Sequence, residues 1–236
     1  RTKLPAAANM EVLFPSPVRR STFLTASNLR NIADQISVIA IIAIGMTIVI
    51  LTGGIDLSVG SLIALSAVSA ACLIKRWGGE QASIAIVLGA AALSTFFCGC
   101  FGFISGWMIT RFRIPPFIAT LAMMQVCSGL AFTISAGQSI YDIPTWITGF
   151  GRGEAVPGIP NPVLLMAVLY LGFHLWMKRS AFGRWVYGVG GSREAARLSG
   201  IPVSRVLLVI YVISGIMAGI GGVITLSQLR AGAPTY

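Results

Sequence analysis

Apolar residues in this chain form long unbroken runs, and polar residues are confined to the short gaps between them. Runs at 32–51, 56–74, 82–110, 116–136, 162–177 and 206–229 approach the ~20 residues an α-helix needs to cross a bilayer core of ~30 Å. A chain that places its backbone in lipid must satisfy every N–H and C=O internally, which helices do. The pattern therefore predicts an all-α, polytopic helical membrane protein with six spans. The fifth run is short and is expected to recruit 158–161 as irregular structure. Residues 1–31 read as a mixed, proline-bearing N-terminal segment without the apolar middle or cleavage site of a signal peptide. Residues 32–236 read as one transmembrane domain.

One polar stretch, 178–205, also reads as ordered helix. It carries Lys178, Arg179, Arg184, Arg193, Arg197 and Arg205 against the single acid Glu194. Gly188, Gly190 and Gly191 are expected to form a tight turn, with Ser192 following at an N-cap position. Glu194 then falls in the first turn, where the helix dipole favours a carboxylate. Ala195, Ala196, Arg197 and Leu198 propagate the helix, and Gly200 with Pro202 stop it. Two readings stand: a solvated loop that is basic for topological reasons, or a short helix that docks a soluble partner.

Composition narrows the class. Hydrophobic residues make up 56% of the chain and charged residues 10%, against ~25% charged in soluble domains. The net charge of +10 does not point to nucleic acid, because the cations sit in short gaps between spans. The central loop is net +5, and Arg111 with Arg113 form a second basic loop. Both are expected on the cytoplasmic side, which turns 137–161 outward and leaves Arg19, Arg20 and Arg30 on the outer side. Cys72, Cys98, Cys100 and Cys127 lie in apolar runs without ligand spacing and read as small buried hydrophobes.

Few residues suggest chemistry. Asp56 follows the Gly53–Gly54 break and precedes Ser58. Either it caps the next helix, or the four residues form a gate or ion site. His174 reads as a packed or interfacial side chain rather than a metal or catalytic group. Thr120, Met124, Cys127 and Ser128 share a helix face with Gln125 close by, and either line a hydrophilic path or bond across helices. Gly102 with Gly106, and Gly215 with Gly219, have the spacing that lets helix backbones approach. The glycines at 188–191 lack the third glycine and βαβ setting of a dinucleotide fingerprint. No phosphate-binding nucleotide loop, zinc-protease motif or Ser-His-Asp set is present.

Three blocks together carry a resemblance. The run GMTIVILTGGIDLSVGS at 45–61, the run IATL at 118–121 after Pro116 and Phe117, and Glu194, Ala195, Ala196 and Gly200 within 188–202 are similar to the signatures of ribose-type ATP-binding-cassette sugar importer permeases. The last four match the start of the importer motif Glu-Ala-Ala-x-x-x-Gly, while its later Ile-x-Leu-Pro is absent. The resemblance covers 28–235. It implies a permease subunit of a bacterial inner (plasma) membrane importer for a monosaccharide or similar small polar solute, with no enzymatic activity or cofactor of its own. ATP would be bound by separate cytoplasmic ATPase subunits. A second permease subunit and an outer solute-binding protein complete the expected partners, with membrane lipid around them.

The same resemblance makes Ser192, Arg193, Glu194, Ala195, Ala196, Arg197 and Gly200 the expected ATPase-coupling residues. It also implies about ten spans of ~20 residues in the complete protein, so an earlier span and a continuation beyond Tyr236 are expected. Two other classes remain at this point: a secondary transporter driven by an ion gradient, which would want several intramembrane acids, and a non-transporting membrane assembly protein.

Overall fold

The computed structural model describes residues 23–235, so the expected outward placement of Arg19 and Arg20 falls outside the described residues. Nine α-helices occur among them: α1 (Ala26–Leu51), α2 (Val59–Trp77), α3 (Ile84–Arg111), α4 (Pro116–Ser135), α5 (Thr148–Arg152), α6 (Asn161–Arg179), α7 (Ala181–Gly191), α8 (Arg193–Leu198) and α9 (Val203–Leu229). Pro116 opens α4 and Pro162 lies in the first turn of α6, where a missing N–H costs nothing. Five helices, α1 to α4 and α9, are long and apolar enough to cross a membrane. The fifth expected span, α6, runs beside α1, and its Tyr170 hydroxyl donates to the Ala40 carbonyl at 3.0 Å. Polar Asn161 and the cations Lys178 and Arg179 leave its apolar stretch short of the ~20 residues of a full crossing. Helix α1 begins before its apolar run, because Ser27, Asn28, Arg30 and Asn31 continue the helix past the oily segment.

Helix α9 is the hub, packed against α1, α2, α3 and α5. In lipid, apolar burial does not drive helices together, so close van der Waals contact and hydrogen bonds must. The two glycine pairs supply that contact by facing each other across the α3–α9 seam. A Cβ on Gly102 would overlap the Tyr211 carbonyl, and one on Gly215 would overlap the Cys98 carbonyl. A Cβ on Gly219 would come within 2.9 Å of the Thr95 Cα. On another face, Ser66 Oγ of α2 donates to the Gly219 carbonyl at 2.7 Å. Cys98 and Cys127 are buried as expected, whereas Cys72 and Cys100 are only half-buried.

The two ends of the bundle differ. At one end, Ile109 of α3, Ala119 of α4, Val189 of α7, Ala196 of α8 and Val203 of α9 share a core cluster. That end gathers the cationic stretch 178–205. At the other end, Lys75 meets Asp142 at 2.6 Å and Arg30 meets Glu154 at 3.5 Å. Arg30 and Lys75 are thus each offset by an acid.

Candidate functional site

The site lies at the basic end, where the chain breaks between α1 and α2. Helix α1 closes with the Gly53 N–H on the Ile50 carbonyl at 2.9 Å and the Gly54 N–H on the Val49 carbonyl at 3.0 Å. Gly53 takes φ +69°, a left-handed conformation that favours glycine. Gly54 leaves room for α9: a Cβ there would lie 2.7 Å from the Tyr211 hydroxyl. Residues 54–58 are then irregular. Irregular backbone at membrane depth survives only where protein groups satisfy it. Arg193 Nη2 donates to the Thr52 carbonyl at 2.9 Å, and the Thr120 hydroxyl is shared between the Pro116 carbonyl of its own helix at 2.9 Å and the Ile55 carbonyl at 3.2 Å. Two other helices therefore complete the break.

Asp56 holds its centre. The residue is 3% exposed, and it is the one Asp, Glu, Lys or Arg that is fully buried among the described residues. Its Oδ1 accepts from the Ser58 N–H at 3.0 Å and the Ser58 hydroxyl at 2.6 Å, and its Oδ2 accepts from the Ser214 hydroxyl of α9 at 2.7 Å. Ser58 occupies the position before Val59, where α2 starts, and its own hydroxyl is turned to Asp56 rather than to the helix. Asp56 accepts the Ser58 N–H at the entrance of α2 and, in addition, ties the break to α9. Beside it the Tyr211 hydroxyl is buried without a hydrogen-bond partner among the described residues.

Helix α8 forms where the sequence places it, but the entrance differs. Gly188, Gly190 and Gly191 do not make a turn; they complete α7. The absent side chain of Gly190 lets α7 approach the Leu51 carbonyl, which a Cβ would overlap. The change of direction comes at Ser192, in extended backbone, whose hydroxyl accepts from the Ala195 N–H at 3.2 Å. Gly200 ends α8 at φ +80°, with its N–H on the Arg197 carbonyl and the Ile201 N–H on the Ala196 carbonyl, both at 3.0 Å. Ala196 is buried and anchors the helix, while Glu194, Ala195, Arg197 and Leu198 are exposed. Arg193 differs from its neighbours because its guanidinium reaches inward to Thr52.

The α4 candidates separate. Thr120 is buried and bonds across to the break, while Met124 and Ser128 are half-buried and Gln125 is exposed. His174 is exposed on α6, beside a cavity of about 190 Å³ shared with Thr47, Tyr170 and Tyr187. The residues missed from sequence are Ser214 and Tyr211 of α9. Their one signal was a hydroxyl inside an apolar run, the feature that bonds helices together in lipid.

No solved structure matches this chain. Among curated proteins, it is 37% identical over 220 residues to the ribose import permease protein RbsC of Escherichia coli (strain K12), covering 90% of this chain and 65% of the relative. It is 38% identical over 216 residues to the ribose import permease protein RbsC of Bacillus subtilis (strain 168), covering 91% and 65%. With the fructose import permease protein FrcC of Rhizobium meliloti it shares 35% identity over 223 residues, covering 90% and 59%. The chain thus spans 65% or less of the length of these relatives. The model of the family described as branched-chain amino acid transport system / permease component matches residues 28–236, and the chain, a multi-pass membrane protein, belongs to that family.

Proposed function

We propose that the protein is the permease subunit of an ATP-driven importer, forming the path for a monosaccharide or similar small polar solute across a bacterial inner membrane. The observation that carries the reading is α8: an exposed helix with Glu194, Arg197 and Leu198 facing outward, joined through Arg193 to the break between two membrane helices. A partner that presses on such a helix moves the break. Cytoplasmic ATPase subunits fit this face, with Glu194 and Arg197 as the contact residues and hydrolysis confined to the partner. A second permease subunit and an outer solute-binding protein complete the assembly. The relatives' names, ribose and fructose import permeases, support a sugar as the solute.

Capture of the full-length protein from mild detergent, with mass spectrometry of what accompanies it, tests the reading. An ATPase subunit is expected, and it is lost from Glu194→Lys while the permease still inserts. A cross-linked preparation without an ATPase would move the reading to a transporter driven by an ion gradient.

A further inference from the structure

At the end opposite α8, the first turns of α1 carry a polar stripe. Ser27, Arg30, Asn31 and Asp34 recur at helical spacing in a helix otherwise built for lipid. The stripe faces α5 and the end of α9 across a cleft of about 570 Å³, within the ~300–1,000 Å³ common for small-molecule sites. Arg30 closes one side by pairing with Glu154 at 3.5 Å. Asp34 Oδ1 closes the other by accepting from Gln228 Nε2 at 3.2 Å. The side chains of Arg152, Asn31 and Gln35 also line the cleft and make no hydrogen bond or ion pair of 4 Å or less among the described residues, with the Arg152 charge acting on Asp34 from a distance.

We propose that this cleft is a binding subsite for a neutral polyhydroxylated solute, a proposal that rests on the permease reading above. Two guanidinium groups and two carboxylates face it, so the cleft offers neither an anion nor a cation a net counter-charge. It does alternate donors and acceptors at short range. A sugar hydroxyl both donates and accepts, and vicinal hydroxyls meet such a lining without leaving a group unpaired. Asp34 supplies the acceptor, Arg152 the donor, and the amides of Asn31 and Gln35 supply both. Apolar solutes would have to strip water from these groups without replacing it.

The test uses the full-length protein reconstituted in vesicles with its ATPase and binding protein, and labelled D-ribose, L-arabinose and D-fructose as probes. Asp34→Asn and Arg152→Gln are each expected to lower uptake about tenfold at limiting sugar, the scale of losing one charge-assisted hydrogen bond. ATPase capture stays unchanged in both. Separately, an Asn31→Cys protein is labelled with a membrane-impermeant maleimide, and sugar is expected to slow labelling where D-ribose 5-phosphate does not. Wild-type uptake in both charge variants overturns the proposal. So does protection by the phosphate, or by the binding protein but by no sugar. Wild-type protein that neither takes up a sugar with ATP nor captures an ATPase overturns the permease reading itself, an outcome distinct from active wild type with indifferent variants.

Discussion

Arg193 Nη2 lies 2.9 Å from the carbonyl oxygen of Thr52, joining residues 141 positions apart. The bond ties the residue that closes α1 to the first residue of α8. A guanidinium is suited to this role because its charge strengthens the bond and its planar fork holds direction.

Replacing Arg193 by Ala is therefore expected to separate docking from transport. Glu194, Arg197 and Leu198 remain on the surface, so ATPase capture persists. ATP-dependent uptake falls about tenfold, as a charged hydrogen bond of about 1.5–3 kcal/mol implies near its lower end for a partly exposed group. Uptake and capture measured on the same reconstituted preparation check this.

Asp56→Ala leaves the Ser58 N–H and the Ser58 and Ser214 hydroxyls without their shared acceptor. A cost of about 2–4 kcal/mol is expected, from three buried donors at about 1–3 kcal/mol each, of which the two hydroxyls can turn to other acceptors. Asp56→Asn keeps one acceptor oxygen and loses about half as much. Thermal unfolding of the full-length protein in detergent should rank wild type above Asn and Asn above Ala; equal midpoints for all three would remove Asp56 as the tie.

Gly215→Val should prevent α3 and α9 from meeting, since even a Cβ there overlaps the Cys98 carbonyl. Low accumulation in the membrane and rapid proteolysis are expected. Gly129→Ala on α4 is the control, with nothing within 4 Å of the added carbon. It should gain about 0.5–1 kcal/mol from helix propensity alone.

Gly200→Val asks a β-branched residue to hold φ +80° at the end of α8. A cost of at least about 1 kcal/mol is expected, concentrated in α8 rather than in the bundle. Hydrogen exchange should quicken in 193–200 and stay unchanged in α9.

The helical bundle was legible because apolar runs report length directly, and five of them form helices able to cross. Helix α8 was legible for a different reason. Ser192, Glu194 and Gly200 act through backbone within a few residues of themselves, so local rules reach them. The tie between Asp56 and Ser214 was not legible, because it joins positions 158 apart and depends on how α9 is rotated. Rotation also decided the glycines. Gly102 and Gly215 announced close packing, yet only the assembled bundle shows what each meets: the Tyr211 carbonyl for Gly102 and the Cys98 carbonyl for Gly215. Gly190 misled for the opposite reason: the same lack of a side chain that permits a turn also permits one backbone to rest on another.

Glycine contacts bring the α9 backbone directly onto that of α3, and Ser66 pins it to α2. Helix α6 buries only Pro162 among its residues. Helix α9 with α2 and α3 thus forms one block, in which sliding any member would drive backbone into backbone, whereas α6 meets α1 through side chains and the Tyr170–Ala40 hydrogen bond.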